Sequence, residues 1–253
     1  DFLAEAARRG AAGALVSRQV DAPLPQVMVP DTLAGLTEFA RAWRRDYPGV
    51  VVGITGSNGK TTVKEMTGAI LGQLGPCLVT RGNLNNHIGV PLTLCRLDAA
   101  HRSAVIEMGA NHPREIAHLA SIAQPDVGMV INAGPAHLEG FGGIDGVARG
   151  KGEMFEALGP AGTAVINADD RFAVYWHGLA RRVGRVVTFG MRERADFAAS
   201  AIRSGLTAEG FRSTFELATP AGKRTIELAL AGEHNVMNAL AATAAAMAAG
   251  AGL

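Results

Sequence analysis

The chain has 253 residues, 48% hydrophobic and 19% charged, so it can bury a sizeable core, as one large domain or two smaller ones, and is not disordered. A net charge of +1 gives no basic footprint of the kind a dedicated nucleic-acid binder carries, and two cysteines, Cys77 and Cys95, make neither a disulfide framework nor a zinc spacing. A reducing cytosol is the natural compartment; with no apolar run of about 18 residues no membrane insertion is expected, and no signal peptide is expected either.

The first 48 residues read as the end of a small α/β domain. Residues 2–9 are helical in pattern, 14–17 and 27–29 strand-like, and Pro23 and Pro25 punctuate the loop between them. Asp31 is placed to cap the next helix, which carries Leu33, Leu36, Phe39, Ala40 and Trp43 on one face, at spacings of three and four. Tyr47, Pro48 and Gly49 break it. The chain opens at Asp1 with a helix under way, so a fragment is expected.

From residue 50, strands alternate with helices, which favours a mostly parallel sheet flanked by helices. Strands are predicted at 50–54, 77–79, 104–106, 127–131, 163–166 and 185–189. Helices are predicted at 61–74, from about 88, at 113–123 and at 144–158. After residue 189 three segments, near 197–202, 211–217 and 224–230, follow one another with turns alone between them. They predict a small antiparallel addition to the same domain. A final helix is expected over about 234–249.

The stretch on which the rest depends is VVVGITGSNGKTT at 50–62: an apolar strand, a glycine turn, then a helix start. Glycines let backbone N–H groups approach an anion, and the helix N-terminus adds partial positive charge. Lys60 would reach the outer phosphates of a nucleotide, and the Thr61 hydroxyl would bind Mg²⁺. The usual spacing wants glycine at Ile54, and here it stands one residue earlier, at Gly53.

Lys60, Glu107 and His137 each lie just past a strand's carboxyl end, where ligands gather in open α/β sheets. With a phosphate loop upstream, Glu107 reads as an Mg²⁺ ligand. His137 sits in an exposed glycine-proline turn, and alone is more simply structural. Lys151, between Gly150 and Gly152, reads from the residues alone as a surface lysine on a helix weakened by its glycines. Asp169 and Asp170 read as structural, one of them a helix cap. Asn83, Asn85 and Asn86 form a dense amide cluster better explained by ligand contact than by loop chemistry.

Together these residues resemble the Mur ligase family. GITGSNGKTT at 53–62 is similar to the family's ATP loop, including the displaced glycine. RGNLNNHIGVP at 81–91, EMGANHP at 107–113 and NAGPAHLEGFG at 132–142 resemble the members that add D-Ala-D-Ala to UDP-MurNAc-tripeptide. GEHNVMN at 232–238 resembles a segment near the nucleotide. The resemblance implies a P-loop-type α/β fold in which residues 1–48 end the UDP-sugar-binding domain, 49–253 form the central ATP-binding domain, and a C-terminal ligase domain lies outside the chain.

For the site, the resemblance implies ATP at Gly56, Ser57, Asn58, Gly59, Lys60, Thr61 and Thr62, with Asn235 and Asn238 nearby. It implies one Mg²⁺ at Thr61 and Glu107, and a second at His137 and at Lys151 carrying a CO₂-derived carbamate. Asn83, Asn85 and Asn86 would face the substrate. Gly150 departs from the alanine expected before Lys151, which puts the rigidity of that helix in question. ATP would phosphorylate the tripeptide's terminal carboxylate, and the amine of D-Ala-D-Ala would attack the acyl phosphate. A cytoplasmic monomer is expected, inactive as an isolated fragment. The alternatives are another Mur-type or a folylpolyglutamate-type ligase, a nucleotide-binding module without catalysis, and a generic P-loop phosphatase or motor that would not need Lys151 or His137.

Overall fold

The structure, a computed structural model, describes residues 2–207 and 210–253. The first 48 residues contribute helix α1 (Leu3–Arg8), strands β1 (Ala14–Val16) and β2 (Gln26–Met28), and helix α2 (Thr32–Arg45). The strands pair in parallel. Asp31 caps α2 as expected, its carboxylate accepting the Ala34 N–H at 2.7 Å.

The apolar face of α2 is only partly buried. Leu33, Phe39 and Trp43 are exposed, and the buried positions are Thr37, Ala40 and Arg44. Polar anchoring turns the helix: the Trp43 indole donates to Leu97 O at 2.8 Å, and the Arg44 guanidinium to Ala123 O, Gln124 O and Asp126.

The remainder builds one nine-stranded sheet from β3 (Val50–Thr55), β4 (Cys77–Val79), β5 (Ser103–Glu107), β6 (Val127–Val130), β7 (Thr163–Asn167), β8 (Arg185–Gly190), β9 (Phe197–Thr207), β10 (Gly210–Thr219) and β11 (Gly222–Leu228). Its order is β11-β10-β9-β8-β7-β6-β3-β5-β4. The helices between are α3 (Lys60–Gly72), α4 (Gly89–Leu94), α5 (Glu115–Ala123), α6 (Leu138–Phe141), α7 (Ile144–Glu156) and α8 (Ala173–Leu179), with α9 (Glu233–Ala248) at the end.

Strands with helices on both faces must be apolar throughout, and β3 and β5–β7 are almost wholly buried. Alternate residues serve different faces. Val51, Ala104, Ile106, Val130 and Ile166 pack in one core with residues of α2, α4, α5, α7 and α8, while Val52, Ile54, Val105, Met129 and Val165 pack in a second with α3 and α9.

The antiparallel addition is present in β9–β11, with one refinement. The first residues of β9 pair in parallel with β8, at Phe189↔Phe197 and Gly190↔Ala198, so the addition continues the main sheet. The chain leaves β3 for the β4–β5 side and then crosses to β6, which makes the carboxyl end of β3 a switch point in strand order. A crevice opens at such a point.

Candidate active site

At the end of β3 the chain turns through residues 56–59 into α3. Gly59 has φ +82°, and a Cβ there would lie 2.6 Å from Asn238 Oδ1, so the left-handed backbone and the close approach of α9 both require glycine. This contact brings Asn238 to the loop. Asn235 stands one turn away, donating to Ala231 O and accepting from Asn238 Nδ2 at 3.4 Å.

The loop is braced by the segment after β6, a role that sequence reasoning missed. Asn132 Oδ1 accepts the N–H groups of Ser57 and Asn58 at 3.1 and 3.0 Å, and its amide donates to Asn58 O. Ser57 Oγ donates to Gly134 O and accepts the Gly134 N–H, each at 3.0 Å. With those two loop N–H groups engaged, the donors left to face an anion are at the first turn of α3, where no intrahelical acceptor exists. Lys60 Nζ folds over the loop and donates to Gly56 O at 2.8 Å and Ser57 O at 3.4 Å. Burial lowers its pKa from the ordinary lysine value, and the Glu107 carboxylate opposes that shift.

Thr61 Oγ1 donates to Glu107 Oε2 at 3.2 Å. Two oxygens bound at right angles to Mg²⁺ at 2.0–2.1 Å stand about 3.0 Å apart, so this hard-oxygen pair fits a magnesium ion with little adjustment. Glu107 is only 2% exposed and is fixed from every side. Its other oxygen accepts from Asn85 Nδ2 at 2.8 Å, and its N–H donates to Thr80 Oγ1 at 3.0 Å. Lys64, also missed from the sequence, places its ammonium 3.7 Å from Glu107 Oε2. The available signal was its position on the buried stripe of α3, with Thr67, Gly68 and Leu71 at spacings of three and four.

A cavity of about 450 Å³ opens beside this pair, lined among others by Lys60, Asn83, Asn85, Asn86, His87 and His137. The three asparagines do converge on it. Asn86 also accepts the N–H groups of Ile88 and Gly89 and so starts α4. His137 is exposed, as expected, and has φ +54°, an uncommon conformation for a residue with a side chain.

Lys151 corrects the surface reading made from its own neighbours. It is 2% exposed, with Nζ 3.5 Å from Ala110 O and 5.6 Å from the centre of the Phe141 ring. Burial, with the positive charge of Lys60 adding to it, lowers its pKa to about 8. The question raised by Gly150 also resolves: α7 runs unbroken through it, and a Cβ there would meet the Phe141 ring at 2.3 Å. Glycine lets Phe141 lie over Lys151. Among the described residues no three or more His, Cys, Asp or Glu side chains could hold a metal together, and an amine at Lys151 adds no anionic ligand to His137.

Asp169 and Asp170 are structural, though not as caps of α8, whose N-cap is Phe172. Asp169 gathers the N–H groups of Met191, Arg192 and Glu193, while Asp170 accepts those of Ala133 and Phe172 and so steadies the segment before His137.

A braced glycine loop, a threonine–glutamate pair and an asparagine-lined cavity meet at a sheet switch point, the place where open α/β sheets of this class take up their ligands. The chain belongs to the Mur ligase family: the family's middle domain matches residues 54–246. It is 45% identical over 258 residues to the UDP-N-acetylmuramoyl-tripeptide–D-alanyl-D-alanine ligase of Escherichia coli, covering 100% of this chain and 55% of that enzyme. MurF from Acinetobacter baumannii superimposes with a TM-score of 0.91 at 41% identity, over 100% of this chain and 54% of that one. MurF from Thermotoga maritima in complex with ADP gives a TM-score of 0.77 at 28% identity, over 95% and 55%. The chain thus spans about half the length of the relatives it matches.

Proposed function

We propose that the protein is an ATP-dependent amide ligase that joins D-Ala-D-Ala to UDP-MurNAc-tripeptide, acting as a cytoplasmic monomer in peptidoglycan precursor synthesis. The observation that carries this reading is the Thr61–Glu107 oxygen pair, set at 3.2 Å beside a phosphate loop and opening onto the Asn83–Asn85–Asn86 cavity. Residues 1–48 would end the UDP-sugar-binding domain, and 49–253 would form the ATP-binding domain.

The protein's task in such a reaction is to neutralise phosphate charge and align donor with acceptor. The first turn of α3 would hold the phosphates, and Lys60 would leave the carbonyls of Gly56 and Ser57 to follow the outer phosphate. Thr61 and Glu107 would hold Mg²⁺, which when bound supplies the charge that steadies phosphoryl transfer. Asn83, Asn85 and Asn86 would orient the tripeptide's terminal carboxylate towards the γ-phosphate, and Asn235 and Asn238 would border the nucleotide. The acyl phosphate so formed would be attacked by the dipeptide amine, with loss of phosphate.

Lys151 fits carbamylation on two counts. Its lowered pKa leaves more of the free amine that attacks CO₂, and the modified side chain would be an anion able to join His137 at a second Mg²⁺. Unmodified, its ammonium would repel that ion.

The substrate assignment is tested by offering the full-length protein ATP, Mg²⁺ and a panel of acceptors, and reading the products by mass spectrometry. A product of UDP-MurNAc-tripeptide heavier by one D-Ala-D-Ala residue is expected. Extension of a folate or a shorter UDP-MurNAc-peptide instead would transfer the assignment to a sister ligase.

A further inference from the structure

Lys64 has no part in the chemistry above, yet it is one of the largest fully buried side chains in the molecule, at 1% exposure. A lysine so placed needs compensation, because removing an ammonium from water is costly unless it is paired. Three groups face it. Glu107 Oε2 lies at 3.7 Å, Glu65 Oε1 at 3.1 Å, and Gly82 O accepts from it at 3.5 Å. The Glu65 side chain is 64% exposed, whereas that of Glu107 is 3% exposed, so Glu107 is the partner least shielded by solvent.

The oxygen concerned matters. Lys64 approaches Oε2, the oxygen that also accepts from Thr61, while Asn85 holds Oε1. At 3.7 Å the contact is longer than a direct hydrogen bond, so the ammonium balances the carboxylate without occupying the lone pairs that a metal needs. Lys64 therefore shares one carboxylate oxygen with any ion held by Thr61 and Glu107. The two cations oppose each other. Through Gly82, Lys64 also ties this carboxylate to the 81–87 loop that carries the asparagines.

We propose that Lys64 is a positioning residue whose buried ammonium serves as the resident counter-ion of Glu107, so that it limits how strongly nucleotide binding depends on a divalent cation. The inference rests on the reading of Thr61 and Glu107 as the metal pair. Without the ammonium, Glu107 would be balanced by the metal alone, and the coupling between metal and nucleotide would rise.

The test is calorimetric titration of ADP into the full-length protein, with Mg²⁺ and with EDTA, for the wild type, Lys64→Met and Lys64→Arg. The readout is the ratio of the two affinities. Lys64→Met should increase that ratio by about tenfold, chiefly by weakening metal-free binding, while Lys64→Arg stays near the wild type. Equal shifts with and without metal, or a smaller ratio, would assign Lys64 to packing and overturn the proposal. Wild-type binding that is indifferent to Mg²⁺ would instead overturn the metal pair itself, a separable result.

Should Lys64→Met not fold, Glu107→Gln and the double variant decide by melting temperature. Recovery of folding in the double variant, with Glu107→Gln alone destabilised, supports the pairing. A double variant that still does not fold, with Glu107→Gln folding normally, contradicts it.

Discussion

At the scale of single residues, burial decides what a side chain can be. Lys151 is charged below about pH 8 in the folded chain, whereas an unfolded lysine stays charged to about pH 10.5. The unfolded state thus binds more protons between those values, and stability rises with pH across that window. Lys151→Met, in buffer freed of CO₂, should remove that slope and stabilise the chain by on the order of 2 kcal/mol near neutrality, as read by urea unfolding at several pH values. An unchanged slope would show that Lys151 is not the group responsible.

Gly59 gives the opposite case. Gly59→Ala would combine a positive φ with a Cβ 2.6 Å from Asn238 Oδ1. It should cost roughly 1–3 kcal/mol and weaken ADP binding more than tenfold, measured by denaturant titration and calorimetry. Gly59 and Lys60 were legible in the sequence because a phosphate loop has a local signature. The burial of Lys151 was not, since it depends on Phe141, ten residues earlier, folding back across Gly150.

At the scale of elements, polar side chains join pieces that are far apart in the chain. Arg44, near the end of α2, donates to Ala123 O at 2.9 Å and Gln124 O at 2.8 Å, satisfying carbonyls at the C-terminus of α5. Arg44→Met should leave the two carbonyls without this donor, while Asp126 keeps the Val51 N–H at 2.8 Å, and cost about 1–3 kcal/mol in urea unfolding. A loss within about 0.5 kcal/mol would contradict this role.

The Asn132 side chain joins the segment after β6 to the glycine loop by three hydrogen bonds. Asn132→Ala should weaken ADP binding several-fold with a smaller change in melting temperature, because the loop loses its brace while the sheet is kept. The order of strands and helices was legible from apolar runs and turn residues. Which side of α2 is exposed was not legible, because a three-and-four stripe shows that a helix is amphipathic and says nothing of which polar anchors rotate it.

At the scale of the whole molecule, the sheet's switch point gathers segments that begin near residues 56, 81, 107 and 132 around one cavity. Each segment carries its own motif, and the sheet brings them to one place. The braces supplied by Asn132, Asp170 and Lys64 stayed hidden because each acts through a partner at least 18 residues away, a separation no local pattern records.

The most direct measurement of the central claim follows phosphate release by the full-length protein with ATP, Mg²⁺ and UDP-MurNAc-tripeptide, with and without D-Ala-D-Ala. Release should require the dipeptide, fall by at least about 100-fold in Lys151→Ala, and return in part when a short-chain carboxylate is added in place of the proposed carbamate. Release that ignores the dipeptide and survives loss of Lys151 would contradict the ligase assignment and leave an ATP-hydrolysing α/β domain.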